Sequence, residues 1–195
     1  ESNTLKHKLC IRGRNQLYDF CSKYGVPHRK SGKLLIALDK SEVELLDIIY
    51  NRAVKNQIPI HYLYGRTGGI DAFEPYLKRY EGALYSPETG ILDQHEFIIK
   101  LTAMFIHLSG QFNKPSKVIG LDEDFGKPMV IFANNDSMSA DLVVNAAGIG
   151  AQTLANSYGF SNKIRYVKGE YYQLSHRMAA KVNGLIYPVH RPDSD

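Results

Sequence analysis

The chain has 195 residues, 44% hydrophobic and 23% charged, with 8 prolines. This globular composition excludes collagen-like, low-complexity and disordered classes, and the length allows one full domain or one and a half. Lys and Arg number 24 against 20 Asp and Glu, and the cations are scattered rather than blocked, which gives nucleic-acid binding little support.

Cys10 and Cys21 are too few for a disulfide scaffold and match no metal-binding spacing, so reduced thiols in an intracellular compartment are expected, and no zinc site. The longest apolar runs, such as 34–38 and 142–147, fall well short of the roughly 20 residues that cross a bilayer. No transmembrane segment is expected. The start at Glu1 without methionine or leader, and the end inside Pro192-Asp193-Ser194, read as an internal piece of a longer protein.

In chain order, Leu5, Leu9, Cys10, Leu17, Phe20 and Cys21 mark one face of a helix reaching about Lys23, and Gly25 suits a left-handed C-terminal cap. Residues 33–38 form a short apolar run that fits a buried strand. Ser41 and Glu44 have capping-box spacing for a second helix ending near Asn56. From 57 to 92, prolines and the Gly68-Gly69 pair punctuate short strands and turns. Asp93 and Glu96 repeat the capping-box spacing before Phe97, Ile98, Leu101, Met104, Phe105 and Leu108, so a third helix is expected to pack on something large before stopping at Gly110. After Pro115, the runs 118–121, 129–132 and 142–144 predict a small meander that feeds a buried strand. A fourth helix follows over about 151–158. Strand-like runs at 166–174 and 185–189 close the chain around a polar loop.

The segment 142–151 reads as an apolar strand ending in small residues and turning into a helix. Without bulky side chains between Asn145 and Ala151, backbone N–H groups could approach an anionic or electron-accepting cofactor; tight strand-to-helix packing explains the same residues equally well. Gly148-Ile149-Gly150 lacks the third glycine of a dinucleotide fingerprint. The seven histidines form no metal pattern. Lys168, Tyr171, Tyr172, Tyr187 and His190 cluster in the last two strand-like runs and are possible acid–base groups, with packing tyrosines as the plainer reading.

The order of motifs carries more than any one of them. Leu17-Tyr18-Asp19-Phe20-Cys21, Ser31-Gly32-Lys33-Leu34-Leu35-Ile36-Ala37, Ser86-Pro87-Glu88-Thr89-Gly90-Ile91-Leu92-Asp93, Asn145-Ala146-Ala147-Gly148, Lys168-Gly169-Glu170-Tyr171-Tyr172 and Leu185-Ile186-Tyr187-Pro188-Val189 together resemble the L-2-hydroxyglutarate dehydrogenases, FAD-dependent enzymes of the D-amino-acid-oxidase and glycine-oxidase type. The resemblance covers nearly the whole chain.

It implies a mixed α/β (α+β) fold comprising part of a FAD-binding Rossmann-like domain and part of an antiparallel-sheet substrate domain. Residues 1–92 would be a mainly helical segment with the start of the substrate domain, 93–160 part of the FAD-binding domain, and 161–195 substrate-domain strands. It further implies that Asn145, Ala146, Ala147 and Gly148 lie against FAD and that the Val118 backbone touches its adenine end. Lys168, Tyr171 and Tyr187 would hold the carboxylates of a 2-hydroxy acid, best L-2-hydroxyglutarate, while electrons pass to a quinone or another acceptor. Lys168 stands where arginine is frequent, and His190 where many relatives have proline. The resemblance implies mitochondria for a eukaryote, and cytoplasm or the inner-membrane surface for a bacterium. An amino-acid or amine oxidase of the same architecture, or a non-catalytic interaction module, is the alternative.

Overall fold

A computed structural model describes residues 4–63, 69–112, 116–161 and 163–190. Gly68, Pro115 and the Pro192-Asp193-Ser194 turn lie outside the described residues. The chain divides into two compact units, one formed by 1–108 with 173–195 and the other by 109–172.

The first unit opens with α1 (Leu5–Tyr24), whose start is fixed by Thr4: its hydroxyl accepts from the His7 N–H at 3.2 Å. Gly25 ends it at φ +69°, in the left-handed region that glycine enters without penalty. A short antiparallel pair follows from β1 (His28–Arg29) and β5 (Ile91–Leu92). The main sheet contains β2 (Lys33–Ala37), β3 (His61–Leu63), β4 (Gly82–Ser86) and β9 (Leu185–Pro188) in the order β3-β4-β2-β9. β2 runs antiparallel to β4 and parallel to β9. Strand alternation sends the residues of β2 to two cores. Leu34 and Ile36 pack with Ala83 and with Ile70 of the short helix α3 (Ile70–Phe73), while Ala37 and Leu84 pack with Val189 and with Leu46 of α2 (Lys40–Lys55). A run apolar on both sides is what burial on both faces demands.

One cap and one face differ from the sequence expectation. α2 is capped by Asp39, whose carboxylate accepts from Glu42 N–H, and Glu42 reaches back to the Leu38 N–H at 2.5 Å. The box is therefore Asp39/Glu42 rather than Ser41/Glu44, because Asp39 has the extended backbone of a cap and Ser41 already lies inside the helix. α4 (Gln94–His107) is capped by Asp93 as its spacing predicts. Its apolar face, however, has no buried residue among those described, and Ile98, Ile99, Phe105 and Ile106 are about half exposed. The Phe20 and Phe97 rings meet edge-on at 5.4 Å, joining α4 to α1.

The second unit is a meander of β6 (Val118–Asp124), β7 (Lys127–Phe132) and β8 (Ser137–Ser139), with a bulge between Val118 and Gly120. A 3-10 turn (Gly148–Gly150) then leads into α5 (Ala151–Ser157). The strand expected at 142–144 is not formed, and the third strand of the meander is β8 instead. An extended segment becomes a strand when a neighbour pairs its backbone, and among the described residues none pairs 142–147. Leu142 and Val144 are accordingly exposed. The same holds for 166–174, which forms no strand, with Val167, Tyr171 and Tyr172 almost fully exposed. The polar loop before β9 carries a single helical turn, α6 (His176–Ala179).

Candidate cofactor and substrate sites

In the second unit, Ser157 fastens α5 onto the meander. Its hydroxyl accepts from the Leu121 N–H at 2.9 Å and donates to the Leu154 carbonyl. Tyr158, next in the chain, donates to the Glu123 carboxylate of β6 at 2.8 Å. That hydrogen bond, with the nearby negative charge, pushes the phenol above its ordinary value by favouring the protonated form.

Between β6 and α5 runs 142–147, braced by one side chain. Asn145 donates through Nδ2 to the Ala151 carbonyl at 2.8 Å, while its Oδ1 accepts from the Ala147 N–H at 3.3 Å. The turn that follows is entered through Gly148 at φ +58°, and Tyr166 donates to the Ile149 carbonyl at 2.9 Å from the outside. Nothing in the sequence marks Ser157 or Tyr166, because a lone serine or tyrosine carries no positional signal.

The outcome is an open cavity of about 450 Å³ whose lining includes Val118, Val143, Val144, Asn145, Ala146 and Ala147. Four of the five expected cofactor residues thus line one cavity, and Gly148, which follows Ala147 in the chain, is not part of the lining. No charged side chain lines it. Its apolar walls and small residues suit the flat, uncharged adenine end of FAD, and the pyrophosphate would have to be neutralised elsewhere. The residues present therefore fit that end of the cofactor.

The expected substrate residues are divided between the two units. Lys168 and Tyr171 belong to the second unit, where Lys168 donates to Glu170 at 2.6 Å in an exposed pair and Tyr171 is nearly fully exposed. Tyr187 belongs to the first unit, on β9, half exposed, with the Lys33 ammonium 5.4 Å from its ring centre.

The first unit has its own cavity of about 520 Å³ between α1 and the 86–92 turn, with Cys10, Arg14, Tyr18, Cys21, His28 and Glu88 in its wall. Glu88 is held there by Lys30 at 3.1 Å, and its carbonyl accepts from Tyr18. Cys21 is 1% exposed, and burial pushes its thiol up from the ordinary range. Among the described residues no group of three or more His, Cys, Asp or Glu could hold a metal ion, and no helix is long and apolar enough to cross a membrane.

One unit is a mixed sheet with helices and the other holds an apolar cleft beside an Asn-Ala-Ala-Gly turn, an architecture that fits a flavin-dependent oxidoreductase. The chain belongs to the DAO family of FAD dependent oxidoreductases, whose profile matches residues 1–195. It is 31% identical over 224 residues to the mitochondrial L-2-hydroxyglutarate dehydrogenase of Arabidopsis thaliana, covering 96% of this chain and 46% of that one. It is also 31% identical to the L-2-hydroxyglutarate dehydrogenase of Indibacter alkaliphilus, covering 97% and 48%. Among solved structures, the L-alpha-glycerophosphate oxidase of Mycoplasma pneumoniae, with FAD bound, shares the fold at a TM-score of 0.75 and 20% identity over 96% of this chain and 50% of that one. The chain thus spans about half the length of the curated relatives it matches.

Proposed function

We propose that this chain is the central part of an FAD-dependent dehydrogenase that oxidises a 2-hydroxy acid, with L-2-hydroxyglutarate giving 2-oxoglutarate. The observation that carries the reading is the shared cavity of Val118 and Asn145–Ala147, an apolar surface at the residues that the motif resemblance assigns to the cofactor. In this account the backbone of Val118 and the turn from Asn145 to Gly148 receive the adenine end. When bound, FAD supplies an acceptor for the hydride that leaves the substrate's C2, while the hydroxyl proton goes to a base. No residue of the chain is assigned as that base. Tyr187, Lys168 and Tyr171 are proposed substrate residues, since a dicarboxylate needs ammonium or hydroxyl donors.

The functional domains are proposed as 1–92 with 161–195 around the substrate and 93–160 around FAD, within a longer protein that provides the pyrophosphate site. An electron acceptor such as a quinone, and a mitochondrial location in a eukaryotic source, follow from the same reading. The experiment is turnover of the full-length flavoprotein with L-2-hydroxyglutarate and an artificial electron acceptor. Stoichiometric hydrogen peroxide from an amino acid or amine would favour the oxidase alternative. Absence of flavin from the full-length protein would favour an interaction module.

A further inference from the structure

We propose that Lys33 and Tyr187 together form a carboxylate-binding subsite for the hydroxy acid, and that Glu74 is the positioning residue that sets the strand carrying Tyr187. The inference rests on the functional reading above and names where one of the substrate's carboxylates is held.

The placement follows from the register of the sheet. Leu34 and Ile36 of β2 turn into the core with Ile70, so Lys33 and Leu35 face the other way. In the parallel pairing Leu35 stands opposite Tyr187, which puts Lys33 and Tyr187 on one face. There the Lys33 ammonium lies 5.4 Å from the centre of the Tyr187 ring, within the range of a cation–π contact. Lys33 is only partly exposed, so its charge has given up some hydration. Among the described residues no carboxylate comes within 4.0 Å of that ammonium, whereas Lys30, Lys127 and Lys168 each have one. The Tyr187 hydroxyl likewise has no hydrogen-bond partner among the described residues. A partly buried ammonium held over a ring, with a phenol that has no partner among the described residues, offers the charged and neutral donors that a carboxylate accepts. Lys168 is less suited, because Glu170 already occupies its charge.

Glu74 explains why the pair is held in place. It is 2% exposed, and its carboxylate accepts from the Asn183 N–H at 3.0 and 3.1 Å and from the Gly184 N–H at 2.6 Å. The Asn183 side chain donates in turn to the Phe73 carbonyl at 2.7 Å. No cation among the described residues pairs with Glu74 within 4.0 Å, so backbone amides are what hold this buried charge. Gly184 is followed at once by Leu185, the first residue paired with β2. Glu74 therefore clamps the entry of β9 and fixes the register that brings Tyr187 to Lys33.

The test uses the full-length flavoprotein. Lys33→Met should raise KM for L-2-hydroxyglutarate by about 10- to 100-fold, the loss of one charge-assisted hydrogen bond, with flavin content unchanged and the effect falling on KM rather than kcat. Lys33→Arg should recover most of the loss. Glu74→Gln keeps the shape but turns an amide N–H₂ toward N–H donors. It should raise KM in the same direction and speed amide exchange across 183–188, leaving β4 protected. Calorimetric titration with glutarate is the second readout and needs no turnover: Lys33→Met should weaken binding by the same factor. Unchanged KM and unchanged glutarate affinity in Lys33→Met would overturn the subsite. If the wild-type protein binds glutarate through Lys33 yet oxidises no 2-hydroxy acid, the subsite stands and the functional reading falls.

Discussion

Replacing Gly148 by valine tests the cofactor turn through backbone geometry alone. Gly148 sits at φ +58°, and a side-chain carbon built on it would meet no atom of the chain within 4 Å. Steric overlap inside the protein is therefore not the expected cause of damage; the left-handed backbone is. An ordinary L-residue there is strained by about 1–2 kcal/mol, and a β-branched residue by up to about 3. The turn is exposed and open, so it can relieve that strain by rotating out of the left-handed region. Doing so displaces Ala147, which lines the cavity and whose N–H is held by Asn145. The penalty should thus appear in FAD affinity rather than in folding, as a loss of about 10- to 100-fold in the full-length protein. Titrating apoprotein with FAD and following flavin fluorescence measures it. Gly148→Ala should lose about five- to tenfold, and Gly148→Asn, which tolerates this region, should lose least. Wild-type affinity in Gly148→Val would show that the turn does not face the cofactor.

Gly90→Ala should destabilise the first unit by about 2–4 kcal/mol in denaturant melts, because a side-chain carbon there would overlap the Tyr18 hydroxyl and the Arg29 carbonyl, and the backbone oxygen cannot swing away. Exposed Cys10 should react quickly with a thiol reagent at mildly alkaline pH, whereas Cys21, buried and with its thiol pushed up, should stay protonated and react only on unfolding. In a spectrophotometric titration Tyr158 should ionise above the usual tyrosine range. Since the folded value is raised, the Tyr158–Glu123 contact is intact below the ordinary tyrosine pKa and is lost as pH rises through the folded one; Glu123→Gln should bring the titration back down.

Much of the fold is legible because its signals are local. Gly25, Asp93 and the period of α1 and α4 mark helix limits that depend on neighbouring residues alone. The residues proposed for the cofactor, Val118 and Asn145–Ala147, share a cavity that β6 and the brace of Asn145 assemble. What could not be read is whatever depends on partners distant in sequence. The runs 142–144 and 166–174 have the composition of strands, yet pairing requires an adjacent backbone that composition does not reveal. Glu74 looks like any surface glutamate in sequence, and its burial is decided by amides 109 and 110 residues further on. Lys33 reads as the polar start of an apolar strand, and its contact with Tyr187 depends on a parallel pairing to a strand about 150 residues away.

The central claim is tested most directly by mixing the full-length flavoprotein with L-2-hydroxyglutarate in the absence of oxygen and watching the visible absorbance of the flavin. The account predicts that the oxidised band bleaches within the time of mixing and that one equivalent of 2-oxoglutarate forms per flavin. A protein that carries flavin which stays oxidised in the presence of L-2-hydroxyglutarate, but bleaches with an amine, an amino acid or glycerol 3-phosphate, would contradict the proposed substrate. A full-length protein that carries no flavin at all would contradict the assignment of Val118 and Asn145–Gly148 to a cofactor site.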